Sequence, residues 1–480
     1  METFLFKALQ LVAALSLLVL IHEFGHYIFA RMFGIKVEKF YLFFNPGFSL
    51  LRYNPRTNTV ELIARTDDAT GKDSAAISFK VGKPHPQDTT GSVRASWRDT
   101  IYGIGWLPLG GYCKIAGMID ESMDKEQMAK PEQPWEFRSK PAYQRLMDMI
   151  GGVLFNFILA ILIYIGIAFT WGEKTIKFHD AYAGLDFVPA ALDAGFRNGD
   201  IPLMADGQPV EATDRDVALT MAEAKTVTVL RNGTDTVDIA IPADFIFRLN
   251  DSKGFFQYRV PVVVSGTVPG DPAAKAGILT GDRIVAIGDS LTPSFSELTT
   301  ALKAYAHTAV PVTVVREGAE IRLEATPTDG GKLGIQLTPI TDIYPVTVVQ
   351  YSLLSSIPKG IEIGTTTLSN YVGSFKHVFS KEGAESLGGF GSIGSIFPEK
   401  WNWLSFWEIT AFLSVALAFM NIIPIPALDG GHVMFLLYEV VSRRKPSEKF
   451  MEYAQYVGMA FLMFLLLYAN GNDFYRFFLK

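Results

Sequence analysis

The chain has 480 residues, of which 49% are hydrophobic and only 19% charged. That excludes a disordered chain and raises the membrane class. The net charge of −6, from 43 basic and 49 acidic residues, leaves no basic field for nucleic acid. The single cysteine, Cys113, excludes an intramolecular disulfide and a Cys-rich zinc module. A metal site would have to draw on the seven histidines and on carboxylates.

A membrane-spanning helix needs about 20 mostly apolar residues, and four segments qualify. The first covers 1–30. Its uncharged run, Ala8 to Ile21, is interrupted by His22-Glu23 and resumes through Tyr27-Ile28-Phe29-Ala30. No small-residue cleavage site follows it, so it reads as a span carrying polar groups and not as a signal peptide. The second span covers 146–172, with no charge from Met149 to Trp171. The third is predicted over 406–432, built on the uncharged run Ile409 to Leu428. The fourth is predicted over 450–472.

Lys and Arg beside the spans set orientation. Arg31, Lys36, Lys39, Arg52 and Arg56 follow the first span. Arg138, Lys140 and Arg145 precede the second, and Arg443-Arg444-Lys445 with Lys449 separate the third from the fourth. Placed together in the cytoplasm, these clusters leave both termini and residues 173–400 extracytoplasmic.

Residues 31–145 form a cytoplasmic or membrane-reentrant β region. Phe40–Phe44 and Phe48–Leu51 flank Asn45-Pro46-Gly47, which predicts a β-hairpin. Backbone dipping into the bilayer there requires its polar groups to be paired or buried. Further strands are predicted at 59–65 and 76–81. Polar loops follow at 67–74 and 83–92, then a turn-rich stretch, Pro108 to Tyr112, and a charged segment, 118–140.

The region after the second span contains an internal repeat. Ala191 to Asp200 matches Ala273 to Asp282, and each copy is followed by a strand and turn, 227–233 and 312–318. The pattern A-x-x-A-G-[FI]-x-x-G-D resembles bacterial PDZ domains. It implies two PDZ-like α+β domains, 176–255 and 258–340, of a fold that holds extended peptides. A duplicated small domain with a purely structural role is the plainer reading. Residues 345–403 read as an extracytoplasmic amphipathic region at the membrane surface, with the Gly-rich run 388–394.

The sharpest signal is His22-Glu23-Phe24-Gly25-His26. On a helix, positions i and i+4 share a face, so both imidazoles can grip one ion. Glu23 then sits where it can take a proton from an activated water. H-E-x-x-H also occurs by chance, but ionisable residues inside a span are costly and seldom idle. Zinc suits two imidazoles and one carboxylate, with a fourth position left for water. Asp429, near the cytoplasmic end of the third span, is the expected third ligand, and His432 is the competitor. Pro424 and Pro426 break helical hydrogen bonding nearby, and Asn421 adds a polar side chain.

H-E-F-G-H in the first span, Asn421-x-x-Pro424-x-Pro426-x-Leu428-Asp429-Gly430-Gly431-His432 in the third, and PDZ-like repeats between the second and third resemble the site-2 protease family. Its members are intramembrane zinc metalloproteases. Pro108-Leu109-Gly110-Gly111-Tyr112 and Gly152-x-x-x-Asn156 also resemble that group. Val153 and Ala416 depart from it, where relatives often carry Pro and Asn. The resemblance implies a multi-pass α-helical protein of four spans in a bacterial inner membrane. It also implies Zn2+ held by His22, His26 and Asp429, with Glu23 as the catalytic base. The implied substrate is a single-pass transmembrane protein, such as an anti-sigma factor, pre-cut by another protease. Asn421 and Asn156 would hold the substrate backbone, or else join helix to helix. The PDZ-like pair would act as a size filter. An integral-membrane zincin of the CAAX-processing type would take a Glu as third ligand, and the Leu-Asp-Gly element argues against it. A catalytically idle PDZ-bearing scaffold is the alternative, and the presence of Glu23 speaks against it. A metal transporter is disfavoured by only four spans and a large duplicated external region.

Overall fold

The computed structural model describes residues 2–66, 73–83, 95–108, 110–118, 131–214, 217–250, 254–375, 378 and 387–476. Most of the polar loops expected at 67–74 and 83–92, much of the charged segment 118–140, Leu109, His85 and His377 lie outside the described residues. The chain divides into two compact units, Met1–Trp171 with Tyr351–Lys480, and Gly172–Gln350.

The first unit is a helix bundle with a sheet. Its helices are α1 (Glu2–Met32), α2 (Ala142–Trp171), α3 (Leu353–Phe375), α4 (Phe390–Ser395), α5 (Trp403–Ile422), α6 (Asp429–Ser442) and α7 (Glu448–Phe474). Four of these, α1, α2, α5 and α7, are long and apolar enough to cross a membrane. A helix suits lipid because it satisfies its backbone groups internally. Helix α2 is the hub and packs against α1, α3, α5 and α6. Glycine sets the approach of α1 to α2, since a Cβ on Gly25 would overlap the Gly151 carbonyl oxygen. Small residues at helix contacts are how apolar helices pack closely in lipid. Helix α3 lies along α2, with Gly360 and Gly364 against Ile165 and Ile161. Tyr371 and Phe375 reach Phe419 of α5. At the far end of α7, Asp473 accepts hydrogen bonds from the backbone N–H groups of Gly389 and Ser392, both at 2.9 Å. The Gly-rich run is thereby tied to α7.

The range 406–432 is not one helix. Helix α5 stops at Ile422, and α6 begins at Asp429. Pro424 and Pro426 supply no N–H, and Ala427 adopts φ 78°. The Ala427 N–H donates to Gln455 Oε1 of α7 at 3.2 Å. Gly458 lets α7 close on this turn, for a Cβ there would overlap the Pro426 carbonyl oxygen.

Six strands, β1 (Val37–Leu42), β2 (Ser49–Asn54), β3 (Thr59–Thr66), β4 (Asp73–Lys80), β5 (Ile101–Ile104) and β6 (Tyr112–Ile115), form one sheet. Its order is β4-β3-β2-β5-β1-β6. The hairpin expected over 40–51 does not form. Strand β5 lies between β1 and β2, parallel to the first and antiparallel to the second. The excursion 43–48 is held instead by later residues. Phe44 bridges to Leu107, and Trp106 Nε1 donates to the Pro46 carbonyl at 2.9 Å. Tyr102 and Ile104 come into register with Phe40 and Leu42 on one side and with Tyr53 and Leu51 on the other.

The second unit holds the sequence repeat as a structural one. Strands 201–205, 208–209, 226–231 and 235–240 make a four-stranded sheet, and 283–287, 290–291, 310–316 and 319–325 make its counterpart. Separate cores form around Phe187, Phe196 and Val229, and around Ile278, Leu298 and Val312. The repeated Asp has one job in both copies. Arg231 forks onto Asp200 (2.9 and 2.7 Å) and donates to the Gly195 carbonyl. Arg316 forks onto Asp282 (both 2.7 Å) and donates to the Gly277 carbonyl. The pattern G-x-x-x-G-D therefore encodes a bidentate clamp onto the Arg that ends a central strand.

Candidate metal centre

One turn of α1 places His22 and His26 on the same face, with their Nε2 atoms 3.4 Å apart. The first turn of α6 brings Asp429 to them. Its Oδ2 lies 3.1 Å from His22 Nε2 and 3.5 Å from His26 Nε2. All the ligand atoms of the three residues lie within 4.8 Å of one another. His432 lines the same cleft but is not part of this cluster.

The surroundings aim the rings. His26 Nδ1 is 2.8 Å from the Asp148 carbonyl oxygen of α2. A carbonyl only accepts, so Nδ1 carries the proton and the Nε2 lone pair faces Asp429. The Asn156 side-chain amide lies 3.4 Å from His22 Nδ1, and that of Asn421 lies 3.3 Å from His22 Nε2. Asn156 sets its Nδ2 toward His22 Nδ1 and leaves its Oδ1 buried without a partner; with the amide turned over, Oδ1 accepts the Nδ1 proton and that orphan is relieved. That leaves His22 Nε2 as a donor of electrons. Both Asn residues thus stand against His22.

Two imidazole lone pairs and a carboxylate oxygen now converge on one point. Asp429 Oδ2 is buried and has no hydrogen bond of acceptable geometry. Buried anionic oxygen without a donor is costly, and a divalent cation relieves it. The residues present therefore fit a metal ion.

Glycine makes room for the rings. A Cβ on Gly152 of α2 would sit 2.5 Å from His22 Cε1, 2.5 Å from His26 Nε2 and 2.7 Å from His22 Nδ1. Glu23 shares the cleft, and its carboxylate accepts from the Cys113 backbone N–H of β6. The cleft has a volume of 560 Å³ and joins the three ligand residues, Glu23, both Asn residues and strand β6. The sequence reading missed Gly152 as the floor under the histidines, the Asp148 carbonyl, Gln455 and β6. The glycine doublet 151–152 facing Gly25 was the available signal for the first, while the others depend on long-range contacts.

A bundle of apolar helices around a largely buried His-His-Asp cluster, with an acid outside the ligand set beside it, defines an integral-membrane metalloprotein equipped for hydrolysis. The comparisons make the assignment specific. The chain matches the model of peptidase family M50 over residues 10–62 and 91–465. Regulator of sigma-E protease RseP of Escherichia coli is 26% identical over 505 residues, spanning 99% of this chain and 100% of that protein. Metalloprotease MmpA of Caulobacter vibrioides is 26% identical over 500 residues, spanning 99% and 96%. A Vibrio cholerae relative whose name includes zinc metalloprotease is 25% identical over 504 residues, spanning 99% and 100%. The chain belongs to peptidase family M50, the site-2 proteases, and is a multi-pass membrane protease of that type.

Proposed function

We propose that the chain is a zinc-dependent intramembrane endopeptidase. It cuts the transmembrane helix of single-pass proteins already truncated by another protease, anti-sigma factors among them. The observation that carries this reading is the convergence of His22, His26 and Asp429 with Glu23 inside a bundle of spanning helices. His22, His26 and Asp429 would hold the ion, and two imidazoles with one carboxylate suit zinc. When bound, zinc supplies a Lewis acid that brings the pKa of water down to ~7.

The residues of the chain do the rest. The Asp148 carbonyl and Asn156 hold the rings in the ligating tautomer. The Cys113 N–H orients the Glu23 carboxylate. Glu23 takes the proton of the attacking water and returns it to the leaving amine, one group serving as base and then acid. A helical substrate must unwind before its peptide carbonyl is accessible. Strand β6 ends the sheet and runs along the cleft, so the unwound segment lies extended beside it. The two α+β repeats are PDZ-like domains on the extracytoplasmic side that exclude substrates with bulky external domains.

The test uses purified protein in vesicles with two substrates that share one transmembrane helix, one bearing a folded external domain and one without it. The reading expects cleavage inside the helix, and only of the short form. A cut mapped outside the helix, or equal cleavage of both forms, refutes the corresponding half.

A further inference from the structure

Strand register across the sheet sorts its side chains into two faces. One face carries two unbroken apolar rows. The first runs Phe40, Tyr102, Tyr53, Val60, Phe79, and the second runs Leu42, Ile104, Leu51, Leu62, Ile77. The opposite face carries Tyr41, Gly103, Arg52, Glu61 and Ser78 in register, with Arg52 Nε on Glu61 Oε2 at 2.5 Å. A sheet with one apolar and one polar face needs a cover for the apolar one.

Helix α1 covers only the inner end. Tyr27 packs its ring at 5.5 Å on Phe40 and 6.2 Å on Tyr102, and its hydroxyl meets that of Tyr102 at 2.6 Å. Beyond that, Leu42, Leu51, Tyr53, Val60 and Leu62 are half-buried and the remaining positions are bare. Ile104 is 37% exposed, Phe79 48% and Ile77 56%, and Val81 just past β4 is 64% exposed. Contiguous exposed apolar surface of this kind marks an interaction site. The bare half is built largely from residues outside the family match, which passes over 63–90.

We propose that the β3–β4 extension lies apolar face down on the lipid bilayer, at the Arg31 end of α1. The side of the sheet decides the occupant. The helix that crosses the membrane sits on the same face as the bare rows, so those rows look toward the lipid that surrounds it. Continuity supports this. Tyr27 stacks with Phe24 at 6.2 Å, and Phe24 and Ile28 are exposed on α1. The lipid-facing surface of the span thus runs on into the rows. Strand β4 ends the sheet, and an edge strand does not enter the hydrocarbon core. The depth is therefore that of the headgroups, where exposed Lys83, past the end of β4, meets lipid phosphate.

The test uses the full chain in vesicles of phosphatidylethanolamine and phosphatidylglycerol that carry a photoactivatable phospholipid, with no other protein present. Crosslinks are mapped by mass spectrometry. Labelling within residues 75–81, together with α2 and α7, is expected. In the variant with Ile77→Asp and Phe79→Asp, label on 75–81 is lost while that on α2 and α7 remains. Wild-type protein labelled on α2 and α7 but not on 75–81 overturns the proposal and leaves the rows to a soluble partner or to substrate. Undiminished label on 75–81 in the doubly substituted protein overturns it as well.

Discussion

Helix propensity alone favours Gly152→Ala in the middle of α2, by about 1 kcal/mol. The site reverses that expectation. The new Cβ would stand 2.5 Å from both His22 Cε1 and His26 Nε2, against an ordinary contact of ~3.5 Å. Relief requires each of the two rings to give way by about 1 Å, since α2 backbone is pinned by its contacts with α1. The Asp148 carbonyl holds the far side of the His26 ring at 2.8 Å, so the displacement falls on the aim of the Nε2 atoms. Disturbing the support of metal ligands typically costs ~10–100-fold in affinity, and a misplacement of about 1 Å costs ~100-fold in turnover. The assay is zinc retention against a graded chelator, read beside helical circular dichroism. Gly166→Ala is the control on the same helix, because a Cβ there meets nothing within 4 Å; it should keep wild-type zinc affinity. Wild-type zinc affinity in Gly152→Ala would refute the reasoning.

Other variants separate the roles of neighbouring groups. Asp429→Asn keeps the side-chain shape but removes the charge, so stoichiometric zinc is lost while the helix content stays. For Asn156→Ala the account expects ~10–100-fold weaker zinc binding with an unchanged KM; raised KM with normal zinc affinity would instead show a substrate contact. In the second unit, the hydrogen bonds from Arg316 hold the buried Asp282 carboxyl below the usual range. A lowered folded pKa contributes stability above the unfolded value of ~3.9, and that stability is lost as pH falls through the folded value. Asp282→Asn should therefore lower the melting temperature of this unit at neutral pH and flatten its acid dependence. Equal acid sensitivity in both proteins would contradict that assignment.

What the sequence discloses and what it hides divide along the distance between partners. Uncharged runs disclose the spans, and i, i+4 spacing puts His22 and His26 on one face without help from tertiary structure. The break after Ile422 was readable from Pro424 and Pro426, although a hydropathy run passes straight through them. The repeat disclosed a duplicated β unit, but not that its Asp exists to clamp Arg231 and Arg316. The 40–51 hairpin failed because pairing across a Pro-Gly turn is a local inference, whereas β5 inserts from some 50 residues further on. For the same reason the apolar rows were invisible. Residues 76–81 read as a strand, yet only the register of five strands shows that Ile77 and Phe79 prolong a surface begun at Phe40 and Leu42. Asn156 shows the limit for single residues: the resemblance implied a substrate contact or a helix-to-helix bond, and its place beside His22 emerges only from the structure.

The central claim is that Glu23 moves the proton at a metal held by the other three residues. The most direct measurement compares wild type with Glu23→Gln in the same vesicles, reading cleavage of a truncated transmembrane substrate and bound zinc together. The account predicts about one zinc per chain in both, with turnover in the variant lower by ~100-fold or more. Cleavage by the variant at the wild-type rate, with zinc bound, would contradict it.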